Sequence, residues 1–172
     1  GNYSKKFNDL DLFFQSLKEF INKQKKEGRP IQVTFVGTPK NRLILSKIKH
    51  YNIENHCIFL KKIDNIEVKK IQKKAALLLH FAWTDLRQKG ILSGKIFEYI
   101  SAQKPILSIG FDQELSELIE PYNGKMFQKK EEIIDFLENV YHNTQPIKSS
   151  NNKSSMISKQ NQFKELEKII TK

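Results

Sequence analysis

The run Ala75–Phe81 (AALLLHF) is apolar without the polar alternation of a half-exposed strand, and it sets the narrowest limit on the fold. A strand of that kind must be covered on both faces, as in parallel sheets flanked by helices. Other short apolar runs alternate along the chain with segments of helical period. Leu10, Phe13, Phe14, Leu17, Phe20 and Ile21 recur at helical spacing, with Asn8 or Asp9 placed to cap the start and Gly28-Arg29-Pro30 to end the helix. Ile31–Val36 (IQVTFV) is predicted as a strand that stops at Gly37-Thr38-Pro39. Leu43, Ile44, Ile48 and Tyr51 predict a helix, Cys57–Leu60 a strand and Ile66–Lys73 a short helix. After the Ala75–Phe81 strand come a helix over Ser93–Ala102 and a strand over Pro105–Ile109. A helix near Leu115–Ile119, a strand around Lys125–Phe127 and a helix from Glu131 to Tyr141 complete the series. This alternation predicts right-handed crossovers and an α/β fold, a Rossmann-like parallel sheet with helices on both faces. A first strand is expected ahead of the Leu10 helix, where only a few polar residues stand. The chain is therefore expected to begin in the loop after that strand, in keeping with a Gly1-Asn2-Tyr3 start that lacks Met.

Ligands of such sheets bind beyond the carboxyl ends of the strands. The loops there are Gly37–Arg42, Lys61–Asn65, Ala82–Gly94 and Gly110–Glu114. The third leads into a helix that opens on Ser93-Gly94, and backbone N–H groups at a helix start attract anions, phosphate above all. Glu98 follows Gly94 by four residues, on the same helical face and roughly 6 Å further along. A diphosphate on the helix end with a ribose hydroxyl pair on the carboxylate fits that spacing. The plain alternative is an ordinary capped surface helix with a solvated Glu98. Lys40 and Arg42 stand in another of these loops and are placed to touch phosphate. Trp83 and Thr84 end the Ala75–Phe81 strand at the same edge, as a wall of the site or as simple core packing. His80 is read as a core or rim histidine rather than a catalytic base.

Composition narrows the partners. The chain has 172 residues, 30 Lys and Arg against 19 Asp and Glu, and a net charge of +11. Such an excess fits nucleic acid, an anionic membrane or a phosphorylated ligand. The lysines are spread along the whole chain, however, and aromatics are not interleaved with them as stacking platforms require. Lys61, Lys62, Lys69, Lys70, Lys73 and Lys74 crowd one segment, which is read as a membrane-facing or solvated surface, not a nucleic-acid site. The single Cys57 excludes internal disulfides and fits a reducing compartment. His50, His56, His80, His142 and Cys57 show no metal-ligand spacing, so no metal site is expected. No apolar run approaches the ~20 residues of a membrane span and no signal peptide is visible. A cytoplasmic protein is expected, with peripheral contact to the inner face of the membrane. Residues 1–142 are read as one Rossmann-like domain and 143–156 (NTQPIKSSNNKSSM after His142) as a polar linker. In 157–172, Phe163, Leu166, Ile169 and Ile170 mark an amphipathic helix that packs back on the domain or crosses to a neighbouring one.

The order of elements, VTFVG (Val33–Gly37) and above all ILSGKIFEYISAQKPILSIG (Ile91–Gly110) carry a family resemblance over most of the chain. It resembles the C-terminal, donor-binding half of GT-B glycosyltransferases, near the family 4 type that builds bacterial surface polysaccharides. The resemblance implies that Ser93, Gly94 and Lys95 hold the donor diphosphate and that Glu98 binds the ribose. It puts basic residues at Lys5 and Lys6 against the phosphates, and the base on backbone groups near Lys62 and Ile63. Relatives carry a second glutamate, which falls here on Gly90, with Asp85 nearby in the loop. Sugar identity and stereochemical outcome are therefore open, although a retaining transferase is implied. The implied function is the donor lobe of a hexosyltransferase that needs no metal or other cofactor. It would take a UDP-sugar and pass the sugar to a glycan or lipid-linked acceptor. Catalytic residues would lie in an absent N-terminal lobe, leaving this chain alone inactive. The alternative is a non-catalytic Rossmann-like module with a basic surface for a membrane or partner.

Overall fold

The computed structural model describes residues 9–26, 29–37, 41–82 and 93–143. The first helix, α1 (Leu10–Gln24), starts at a cap: the Asp9 carboxylate accepts the Leu12 N–H at 3.1 Å. That bond satisfies one of the amides a helix start leaves without an internal partner. The apolar stripe read from the sequence, Leu10 to Ile21, is buried. There follow β1 (Val33–Val36), α2 (Arg42–His50), β2 (Cys57–Leu60), α3 (Asn65–Lys74) and β3 (Leu78–Phe81). Next come α4 (Gly94–Ala102), β4 (Ile106–Ile109), α5 (Gln113–Ile119), β5 (Gly124–Phe127) and α6 (Lys130–His142).

Each element predicted from the Leu10 helix to the Glu131–Tyr141 helix is present in this order, but two strands are shorter than their apolar runs. Ile31 and Gln32 precede β1, and Ala75 to Leu77 precede β3. A strand extends only as far as a neighbour pairs with it. The β1–β2 ladder runs from Val33↔Cys57 to Val36↔Leu60, and the β3–β4 ladder from Leu78↔Ile106 to Phe81↔Ile109.

All strand pairs are parallel, as predicted, yet they form two sheets where one was expected: β1-β2 and β3-β4-β5. Doubly wound sheets run in the order 3-2-1-4-5-6. The break between β1 and β3 falls where that order places its first strand, the strand expected ahead of α1. Side chains close the break where hydrogen bonds do not. Phe13, Phe14 and Leu17 of α1 share one buried cluster with Phe35 of β1 and Leu107 and Ile109 of β4. The Phe13 ring meets the Phe81 ring of β3 edge-on at 5.8 Å. On the other face of the larger sheet, Ile96 and Ile100 of α4 pack with Leu115 and Ile119 of α5 over Ile106 and Ala82. β4, between β3 and β5, is buried at all of its residues. The fold is thus α/β with helices on both faces. The linker and the last helix expected from the sequence lie, beyond Asn143, outside the described residues.

Phe14 is wholly buried and sits where α1 spans the break. Phe14→Ala is expected to cost about 3–5 kcal/mol, from lost burial and the cavity left behind. Urea unfolding should show a large drop in midpoint, since whole domains of this kind are stable by only about 5–15 kcal/mol.

Candidate functional site

Because the strands within each sheet run one way, each sheet presents a single carboxyl edge. Gly110 shapes it after β4. Its φ of +126° is open to glycine but not to other residues, and an added Cβ would lie 3.0 Å from Cβ of Ala82. Its N–H donates to the Phe127 carbonyl at 3.1 Å while the Ala82 N–H donates to Ile109 at 2.8 Å. The ends of three strands are thereby held together beside the start of α4.

At that start Ser93 has an extended backbone, and its Oγ accepts the Lys95 N–H at 3.3 Å. The Ser93 carbonyl accepts the Ile96 N–H at 2.9 Å. Ser93 therefore caps the helix. Gly94 differs. It is exposed, its φ is not positive, and a Cβ built on it meets nothing within 4 Å. Neither packing nor backbone conformation requires glycine there, so its effect is to leave the helix end open. The first turns of α2 and α4 contain no acidic residue, whereas those of α1, α3, α5 and α6 contain Asp11, Glu67, Glu114, and Glu131 with Glu132. The positive end of the helix dipole is uncompensated, and the exposed Lys95 adds to it. The combination favours an anion.

Glu98 stands one turn on. It is half-buried and has no hydrogen-bond or ion-pair partner among the described residues. Its neighbours fix the helix: Ile96 and Ile100 are buried, and the Tyr99 hydroxyl donates to the Leu79 carbonyl at 3.3 Å. Lys62 is exposed and Ile63 half-buried in the segment between β2 and α3, so their peptide groups belong to neither element. Arg42 opens α2, exposed, next to its cap Asn41, whose side chain accepts the Ile44 N–H. The structure thus puts Ser93, Gly94 and Lys95 at the start of α4 with Glu98 one turn on, and Lys62 and Ile63 at the carboxyl edge of the other sheet. Lys5, Lys6, Lys40, Trp83, Thr84, Asp85 and Gly90 lie outside the described residues.

One arrangement escapes the sequence. His80 and Ser108 are register partners on β3 and β4, and His80 Nδ1 lies 3.0 Å from Ser108 Oγ. Burial pushes the imidazole down to about 4, and the Lys95 charge adds to this while Asp112 opposes it. Asp112 caps α5, accepting the Leu115 N–H at 3.1 Å, and its own N–H points to Met126 Sδ at 3.1 Å. The ring therefore sits within electrostatic reach of the starts of both α4 and α5. Each of the two polar residues is visible within its apolar run, but the register that joins them is not. At the opposite edge Cys57 begins β2. Burial, then Glu54, pushes its thiol up to about 11, which leaves it protonated and a poor nucleophile. Among the described residues no group of three His, Cys, Asp or Glu could hold a metal ion, and no helix is long and apolar enough to cross a membrane.

The fold, parallel strands flanked by helices on both faces, matches Rossmann-like lobes of known glycosyltransferases. The chain is similar to WaaG, a glycosyltransferase involved in lipopolysaccharide biosynthesis. The TM-score is 0.60 at 17% identity, over 80% of this chain and 35% of WaaG. It is similar also to Anabaena HepE, solved in complex with UDP-glucose, with a TM-score of 0.66 at 16% identity, over 100% of this chain and 47% of HepE. The chain therefore spans less than half the length of either neighbour. No protein-family model and no curated protein sequence matches it.

The His80 environment makes stability depend on pH. An ordinary imidazole titrates near 6.5 and this one near 4, so between those values the unfolded chain binds more protons. The contribution of neutral His80 is complete above about pH 6.5 and is lost as pH falls toward 4. By linkage this amounts to about 3 kcal/mol. His80→Gln should flatten that limb of the curve in urea unfolding across pH; an unchanged limb would contradict the assignment.

Proposed function

We propose that this chain is the donor-nucleotide lobe of a glycosyltransferase that moves a hexose from a UDP-sugar to a glycan or lipid-linked acceptor. The observation that carries this reading is the start of α4. It is open at Gly94, has no acidic residue in its first turn, and has one turn on a half-buried Glu98 with no partner among the described residues. The lobe-like fold supports it, as does UDP-glucose bound to the structural neighbour HepE.

In this reading the diphosphate rests on the first-turn amides of α4 and the Lys95 ammonium. The Glu98 carboxylate accepts from the ribose hydroxyls, and the base lies against the peptide groups of Lys62 and Ile63. Lys5 and Lys6 add positive charge to the phosphates, and Trp83 and Thr84 wall the site. As the glycosidic bond breaks, negative charge gathers on the departing nucleoside diphosphate. A helix end and an ammonium already in place stabilise it without reorganising. These positive groups do the work a metal ion does elsewhere, so the donor site needs neither metal nor cofactor. The acceptor, and the group that acts on its hydroxyl, belong to a second lobe. Closure of the two lobes excludes water from the activated donor. This chain alone therefore binds nucleotide without turnover. The reading includes a cytoplasmic location with peripheral membrane contact. In support, α3 exposes Lys69, Lys70, Lys73 and Lys74 together with Ile66, which is 68% exposed.

Calorimetry with UDP tests the site. The wild type should bind in the micromolar to millimolar range, and Glu98→Ala should lose about 1–3 kcal/mol from a charged hydrogen bond. Gly94→Ala separates binding from folding. Its methyl group meets nothing within 4 Å among the described residues, and alanine favours a helix over glycine by up to about 1 kcal/mol, so thermal stability should hold or rise while UDP affinity falls. A wild type that binds no nucleoside diphosphate, or variants that bind as the wild type does, would overturn the proposal.

A further inference from the structure

The His80–Ser108 pair has a chemical consequence for the ligand site. Ser108 is 0% exposed, and its hydroxyl makes no hydrogen bond among the described residues other than the one with His80. That bond can run in two directions. If His80 Nδ1–H donates, the Ser108 proton is left in a buried site with no acceptor, at the cost of a desolvated donor. If Ser108 donates its O–H to Nδ1, the hydroxyl is satisfied and the imidazole carries its proton on Nε2. The second arrangement is the stable one. His80 Nε2 itself has no hydrogen-bond partner among the described residues. Of the charged groups, Lys95 at the start of α4 and Asp112 at the cap of α5 act on the ring. Ser108 is uncharged, and the cluster on this face holds the apolar Ala82, Ile96, Ile106 and Leu115 together with the phenols of Tyr99 and Tyr122, of which Tyr99 donates to the Leu79 carbonyl.

We infer that His80 is a binding residue of the α4 site, held by Ser108 as the Nε2–H tautomer so that it donates a hydrogen bond to a diphosphate oxygen of the nucleotide sugar. The inference rests on the proposed nucleotide-sugar reading and adds a contact to it. Neutrality suits the role. A neutral donor on a rigid strand needs no protonation step, and its orientation is set before the ligand arrives, which lowers the ordering cost of binding. Because His80 stays neutral throughout, affinity for a diphosphate diester should be level from about pH 6 to pH 8.

Two measurements test this. Nitrogen-15 NMR of the free protein reads the tautomer directly: Nε2 protonated and Nδ1 bare is expected, and Ser108→Ala should mix the two forms. Calorimetry then compares UDP-glucose with uridine on the wild type, His80→Ala and His80→Gln. His80→Ala should weaken UDP-glucose about tenfold and leave uridine unchanged. His80→Gln, whose side-chain amide can supply an N–H near the position of Nε2, should recover much of the loss. A purely structural histidine would give equal losses for both ligands and no recovery, with a lowered unfolding midpoint in each variant. An Nδ1–H tautomer, equal losses for the two ligands, or UDP-glucose binding unchanged in His80→Ala would overturn the inference. A wild type that does not bind UDP-glucose removes the nucleotide-sugar reading and this inference with it. If the wild type binds and only the His80 variants fail to differ from it, the reading stands and this inference falls.

Discussion

The apolar face of α1 holds the two sheets in one body. Hydrogen bonds run within β1-β2 and within β3-β4-β5, and none joins β1 to β3. What crosses the break is side-chain packing: Phe13, Phe14 and Leu17 share a cluster with residues of both sheets. The site depends on this contact, because Lys62 and Ile63 follow a strand of the smaller sheet while α4 packs on the larger. The distance from the proposed base-binding segment to the proposed phosphate-binding turn is therefore set by dispersion and burial, not by a continuous ladder.

The second constraint is polar and local. β3 and β4 are covered strands, so any polar side chain within them must find a partner or bear a desolvation cost. His80 and Ser108 answer each other across the ladder. The same burial keeps the imidazole neutral beside Lys95, so the edge holds an ammonium, a helix end and an uncharged ring without a fixed negative charge in the first turn of α4. Glu98 lies one turn deeper. Positive first turn and carboxylate second turn match a molecule that is anionic at one point and rich in hydroxyls about one sugar ring away.

Most helix starts were legible because their signals are local. Asp9, Asn41, Asp64, Ser93 and Asp112 each cap a helix through an atom no more than three residues away. Strand positions were legible from their apolar runs, and their lengths were not. Ile31 and Ala75 are as apolar as their neighbours in sequence, and only the extent of the paired strand decides where the ladder ends. The chemical character of Ser93 was ambiguous for a related reason. A serine before a helix can cap it or bind a ligand, and only its bond to the Lys95 N–H shows that it caps here.

By itself, then, the sequence determined the alternation of elements, their parallel sense and the helix that opens on Ser93-Gly94 with Glu98 on its second turn. Each of these follows from patterns confined to a few residues. Tertiary structure alone decided the division into two sheets, the openness at Gly94, the lack of a partner for Glu98 among the described residues and the joining of His80 to Ser108, 28 residues apart. The reason is that burial and pairing are properties of residues distant in the chain. A local pattern can say that a side chain is polar or apolar, but not which other side chain the fold will bring against it.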